Sequence, residues 1–140
     1  MDWKLELVIL PVADVDRAKA FYVDQAGFAL DVDHRAGESF RVVQLTPPGS
    51  ACSISIGTGI TQAAPGSVQG LHLVVSDIEA ARAELLGRGG EPGPLFHFGP
   101  NGQTDGPHPD RSDYNTFFTF SDPDGNGWIV QEVGWSAAAA

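Results

Sequence analysis

Shifted by 63 residues, the chain falls on itself: Leu10-Pro-Val-Ala-Asp-Val-Asp-Arg-Ala-Lys-Ala20 lies over Leu73-Val-Val-Ser-Asp-Ile-Glu-Ala-Ala-Arg-Ala83. Leu10 meets Leu73, Asp14 meets Asp77, Ala18 meets Ala81 and Gly27 meets Gly90. Spacing repeats along with residue type, so the fold must be one that two copies of a single supersecondary unit can build.

Each copy reads as strand then helix. LELVIL and GLHLVV are short runs rich in branched residues, and each ends near an aspartate, Asp14 or Asp77, whose carboxylate can accept from the free N–H groups of a helix start. Val15, Ala18 and Tyr22, and likewise Ile78, Ala81 and Leu85, recur at helical spacing before Gly27 and Gly89-Gly90. Strand-like runs follow: FALDVDHR, FRVVQL and CSISIG in the first half, then PLFHF, NTFFTF and GWIVQEV in the second. Both halves read β-α-β-β-β, an α+β class. The boundaries are module 1 at about 5–57, a small and polar linker at about 58–69, module 2 at about 70–133, and a tail over 134–140 whose SAAAA end is expected to fray. The stretch from Gly99 to Asn115 is long for a structureless loop and is expected to act as a lid.

Bulk properties narrow the function classes. At 140 residues the chain is one domain by the usual prior, and no apolar run approaches the roughly 20 residues that cross a bilayer. The opening MDWKLELVIL has no basic region of a secretory signal, so a cytoplasmic location is expected, and one cysteine, Cys52, forms no internal disulfide. A net charge of −10 repels phosphates, which disfavours nucleic acid and favours a small molecule as partner. Membrane association is not expected. GTGITQ at Gly57 lacks the third glycine of a dinucleotide fingerprint, and GxxxxGK[ST] is absent.

The duplicated unit, with LxVxDxxxAxxFY from Leu10 to Tyr22 and DPDGN from Asp122 to Asn126, resembles the vicinal oxygen chelate superfamily, which includes glyoxalase I, extradiol dioxygenases and bleomycin-resistance proteins. The resemblance runs from about Leu5 to Val133. It implies that two βαβββ modules form a curved mixed sheet around a ligand cleft, with helices outside, and that the protein is a homodimer. Metal-using members carry a ligand on each first strand, seven residues before the capping acid, which here gives Leu7 and Gly70; a third position falls on Ile129, and a fourth lies around Ser53 to Ser55. None of these is a His, Asp or Glu, so the resemblance points to a member depleted of its metal site, with no cofactor. The alternative is a divalent metal such as nickel, zinc, manganese or iron, held through Glu132. Glu132 points away from Ile129 and Gln131 by strand alternation unless a bulge intervenes.

If Gly70 marks the cleft face, His72 and Val74 share it by period two, as do Leu5, Leu7 and Ile9 on the partner strand. His72 is then the one ionisable group on an apolar floor, able to serve as acid, base or hydrogen-bond donor, against the plainer reading of a satisfied core histidine. His97 and His108 flank the long loop without metal spacing, His34 reads as a surface residue, and Cys52 as a small buried side chain. Phe96, Phe98, Tyr114, Phe117, Phe118, Phe120 and Trp128 exceed what one strand face needs and suit a pocket for a flat ligand, with Trp128 as wall, the Gln131 amide as handle, and Tyr114 at the rim. The expected ligand-binding set is Leu7, Ile9, Gly70, His72, Phe98, Tyr114, Trp128, Ile129 and Gln131.

Two functions compete. A binding protein of the drug-sequestering, antibiotic-resistance kind would hold an apolar or aromatic small molecule without a metal. A lyase, isomerase or dioxygenase of the same superfamily would need either an unrecognised ligand set or His72 as base.

Overall fold

The computed structural model describes residues 1–137, so 138–140 of the tail expected to fray lie outside the described residues. Two compact units share the chain: one takes Met1–Val68 and Asp122–Asn126, the other Gln69–Ser121 and the chain from Gly127 on.

In the first unit β1 (Leu7–Ile9) leads to α1 (Val15–Ala20), and β2 (Ala29–Arg35), β3 (Arg41–Thr46) and β4 (Ser53–Thr58) complete a four-stranded sheet in the order β1-β4-β3-β2. β1 runs parallel to β4 and the other pairs are antiparallel. Asp14 caps α1 as its sequence position predicts, with extended backbone and its carboxylate accepting from the Arg17 N–H at 3.0 Å. Beyond Ala20 the helix widens into a π-helical turn over Phe21–Gln25, which leaves the adjacent Phe21 and Tyr22 both buried, their rings edge-on at 5.0 Å. Leu10, Ala18, Val43, Leu45 and Ile56 are buried with them in the core of this unit. The connection Gly59–Val68 is bonded to the same unit: Gly66 donates to the Pro11 carbonyl, and a Cβ there would fall 2.1 Å from the Asp124 carbonyl oxygen at a φ of +80°. Only glycine tolerates both.

The turn at 122–126 is the polar centre of this unit. Asp122 Oδ1 accepts from the Asp124 and Asn126 N–H groups, while Oδ2 takes the Tyr22 hydroxyl at 2.8 Å and the Asn126 amide. Asn126, fully buried, also donates to the Pro11 carbonyl and accepts from Val68 N–H. Charges close the edge. Arg41 forks onto Asp33 at 3.0 and 2.9 Å and reaches Asp16 at 2.7 Å, with Lys19 also on Asp33. Hydrogen bonds from Arg41 and then Lys19 hold the Asp33 carboxyl far below the usual carboxylate range.

In the second unit β5 (Leu71–Val75), α2 (Ile78–Gly87), β6 (Phe96–Gly99), β7 (Gly102–Asp105), β8 (Phe117–Ser121) and β9 (Gly127–Glu132) form a five-stranded sheet, β5-β9-β8-β6-β7, with β5 parallel to β9. Asp77 repeats the cap of Asp14, accepting from Ala80 N–H at 3.1 Å. Ile78 and Leu85 of α2 are buried, as are Phe118, Phe120, Trp128 and Val130 of the sheet.

The second unit differs from the expected β-α-β-β-β in having four strands after its helix. Pro100-Asn101 is a two-residue turn between Gly99 and Gly102, which face each other in the hairpin, and Gly102 has a φ of +95°. The expected lid is therefore corrected: its first part is a hairpin, and the remainder is pinned by Arg111 on Glu132, His108 N–H on Thr116 and Tyr114 N–H on the Glu132 carbonyl.

Replacing Asn126 with Ala strands Val68 N–H and the Pro11 carbonyl and is expected to cost about 2–4 kcal/mol, read as a lower urea midpoint with unchanged slope. Because the folded Asp33 carboxyl is depressed, its stabilisation is complete above the unfolded carboxylate range, near pH 4, and is lost as pH falls further. Asp33→Asn should therefore be less stable at pH 7 and fall less steeply than the parent between about pH 4 and pH 2 in acid titrations followed by circular dichroism.

Candidate functional site

Each sheet has one face packed under its helix and one that is not. In the second unit the strand registers assign the unpacked face directly: His72 sits opposite Ile129 and Val74 opposite Gln131, with Thr119 and Phe117 next along β8, and Phe96 beyond Phe117. Phe98 joins by alternation on β6. Phe96 and Phe117 stack at 5.4 Å, and Phe98 stands against both, 6.0 Å from Phe96 and 5.6 Å from Phe117. Phe98 is half exposed, at 50%.

This face carries two polar functions. Among the described residues no partner claims the Gln131 amide, whose strand position puts it beside Phe117. His72 is exposed, and its Nδ1 lies 2.6 Å from the Gly70 carbonyl oxygen. A carbonyl only accepts, so Nδ1 is the donor in this contact and Nε2 is the ring nitrogen left for another partner.

Trp128 is on the other side. It is 4% exposed, packed in the face under α2 and stacked on Phe120 at 5.9 Å with rings 1° from parallel. The expected pairing of Trp128 as wall with Gln131 as handle is corrected, because side chains three positions apart on a regular strand point to opposite faces. Phe96 and Phe117, rather than Trp128, share the face of Gln131, and cross-strand pairing on β6 and β8 is the signal that selects them from the aromatic set. Tyr114 lies on the loop at a φ of +63° and is exposed, its N–H fixed to the end of β9.

Glu132 is 1% exposed and faces α2 with Trp128 and Val130. Arg111 donates to both its oxygens, Nε to Oε1 at 2.8 Å and Nη2 to Oε2 at 2.7 Å, and the Ile78 N–H at the start of α2 adds a third bond at 3.0 Å. Arg111 also reaches Glu79 at 2.6 Å and covers the Trp135 ring at 4.4 Å. The hydrogen bonds that Arg111 donates to Glu132 raise the guanidinium above its ordinary range. Arg111 holds a φ of +49°, in the region that β-carbon residues rarely visit. A metal on Glu132 would have to displace this fork.

The remaining family positions offer little to a divalent ion. Leu7 pairs with Ser53 and Ile9 with Ser55 on the unpacked face of the first unit, while Gly70 and Ile129 bring no donor to the second. Among the described residues no group of three or more His, Cys, Asp or Glu converges. A divalent cation needs more donors than these positions hold, so the residues do not fit the metal that the fold family uses. His97 is buried, with Nδ1 2.8 Å from the Gly106 carbonyl, and His108 stands edge-on to it at 5.6 Å while its own Nδ1 accepts from Asp110 and Ser112 N–H. Both shape the loop. His34 stands against the Phe40 ring edge, and Cys52 is half-buried.

The family model for the Glyoxalase/Bleomycin resistance protein/Dioxygenase superfamily matches residues 4–130. The chain belongs to that superfamily. TnmS3, an antibiotic binding protein from Streptomyces sp. CB03234, is similar at 31% identity over 94% of this chain and 96% of its own, with a TM-score of 0.71. A glyoxalase/bleomycin resistance protein from the same organism is 32% identical over 92% of this chain and all of its own, with a TM-score of 0.69. A superfamily member from Sphaerobacter thermophilus DSM 20745 is 27% identical over 94% of this chain and 98% of its own, with a TM-score of 0.71. No curated protein matches the chain. Among the described residues no helix is long and apolar enough to cross a membrane.

Glu132→Gln keeps the shape of the buried side chain but takes its charge from the Arg111 fork. It is expected to destabilise the second unit by about 3 kcal/mol and to raise amide exchange over residues 108–114, with thermal melts and hydrogen exchange as the readouts.

Proposed function

We propose that this superfamily member is a binding protein that sequesters an apolar or aromatic small molecule, without a metal and without turning it over. The observation that carries the reading is the Phe96–Phe98–Phe117 cluster on the unpacked face of β6 and β8, with Ile129 alongside and the Gln131 amide available. Flat rings gain from offset and edge contacts with such a cluster, and one amide is enough to orient a carbonyl or hydroxyl. TnmS3 is an antibiotic binding protein, and its similarity to this chain supports a role in resistance.

Homodimerisation belongs to the same reading. Trp3, Leu5, Ile9, Val32, Val74 and Phe98 are exposed in the single chain, and a second copy laid against them would take that apolar surface out of water. A cytoplasmic setting accords with a chain that carries one cysteine and no internal disulfide.

One observation favours a second reading, catalysis without a metal: His72 is on the same face with Nδ1 engaged by the Gly70 carbonyl, which leaves Nε2 as the nitrogen that would exchange a proton with a bound substrate.

Titration with the neutral dye Nile red tests the binding site. Saturable fluorescence is expected for the parent, with affinity weakened about tenfold in Phe98→Ala combined with Phe117→Ala and only a few-fold in His72→Gln. Calorimetry with nickel, zinc, manganese and ferrous iron should show no stoichiometric uptake, and one tightly held metal per chain would sink the metal-free reading. A substrate whose turnover, but not binding, is abolished in His72→Gln would replace sequestration by catalysis.

A further inference from the structure

The unpacked face of the first unit carries a run of polar side chains that points one way. Thr46 Oγ1 donates to Asp31 Oδ2, so its single hydrogen is spent. The Ser53 hydroxyl, 2.7 Å from Thr46 Oγ1, must then be the donor in that contact. With the Ser53 hydrogen also spent, Gln44 meets Ser53 through Nε2, at 3.4 Å, and this fixes its amide orientation. The Ser53 and Thr46 hydroxyl hydrogens are both directed along the run toward the exposed Asp31. What faces outward is acceptor capacity, at Asp31 and at Gln44 Oε1, with one remaining amide hydrogen.

Asp31 is also left unneutralised. It is the extra residue of the bulge between Leu30 and Val32, and among the described residues no cation pairs with it, whereas Asp33 takes both Arg41 and Lys19. Ser53 is buried, which keeps the middle of the run from reorienting in water. Apolar neighbours flank it: Val32 is opposite Gln44, Leu7 opposite Ser53, and Ile9 opposite Ser55.

We propose that this face is a binding site for an amphipathic organic ammonium, its N–H groups on Asp31 and Gln44 Oε1 and its carbon skeleton on Val32, Leu7 and Ile9. An ammonium has donors only and matches a run that ends on an unpaired carboxylate, and a carboxylate finds the Asp31 charge and lone pairs opposed to its own. The net charge of −10 attracts cations in the same sense. The site lies wholly within the first unit and does not depend on the aromatic cluster of the second.

Three probes with a common ring system test it: 1-naphthylmethylamine, 1-naphthylmethanol and 1-naphthylacetate, each titrated at pH 7 into the full chain labelled with nitrogen-15. The readout is the amide signals of Asp31, Thr46 and Ser53 and the side-chain amide of Gln44, so the outcome is separate from that of the second unit. The amine is expected to bind about tenfold more tightly than the alcohol, and the acetate at least about tenfold more weakly than the amine. Asp31→Asn should bring the amine to within about threefold of the alcohol, while Asp31→Glu, which keeps the charge, retains the preference. The dispersion of the remaining signals reports whether each variant is folded. Equal binding of acetate and amine, an unchanged ratio in folded Asp31→Asn, or no saturable shift at these amides with any probe would overturn the proposal.

Discussion

The first unit depends on a turn that arrives from far along the chain. Asp122 and Asn126 bring their polar groups into a space closed by Tyr22, Pro11 and Val68, and each bond satisfies a group that burial would otherwise leave bare. A buried donor or acceptor without a partner costs about 1–3 kcal/mol, so losing one member of the set strands several others. This accounts for the two sequence signatures together. LxVxDxxxAxxFY ends on the tyrosine that donates to Asp122, and DPDGN supplies that aspartate and the asparagine that answers it. They are two halves of one hydrogen-bond cluster.

The second unit solves a related problem with charge. Burying Glu132 would be prohibitive for an isolated carboxylate, but Arg111 meets both oxygens and the first N–H of α2 supplies a third bond. The repeat adds a detail. Asp16 and Glu79 are equivalent at the 63-residue offset, and each pairs with an arginine of its own unit, Arg41 or Arg111. Each helix thus has a carboxylate in its first turn and an arginine that fastens it. Such a carboxylate also suits the positive end of the helix.

What could be read from the sequence follows physical range. The repeat, both aspartate caps and the strand-forming runs are local, governed by spacing and by groups a few residues apart, and they appear at the expected places. Face assignment followed where alternation alone decides it, as for His72 and Val74 or for Ile129 and Gln131. The same rule, applied to Trp128, separates it from Gln131; grouping the aromatics by type concealed this. Strand β7 was hidden because GPNGQTD has no apolar alternation, and its pairing comes from a tight turn and from the Phe96 strand beside it. Arg111 left no signal, since a lone arginine in a polar loop reads as solvated until its distant partner, Glu132, is placed next to it.

Side chains without metal donors at the family's ligand positions change what the unpacked faces can offer. A site organised by an ion draws its ligand through that ion, and the surrounding side chains mainly exclude alternatives. With Leu7, Gly70 and Ile129 at those positions, the proposed recognition rests on weaker contacts summed over an area, and the two faces offer different ones. The second unit offers three mutually packed phenylalanines beside one amide, a surface that discriminates by shape and ring geometry. The first offers a directed run of hydroxyls ending on an unpaired carboxylate, a surface that discriminates by donor count and charge. Neither arrangement needs turnover to be useful, because a binding protein requires only that its ligand leave more slowly than it is harmful. Selection for tight holding would then preserve ring packing and hydrogen-bond direction.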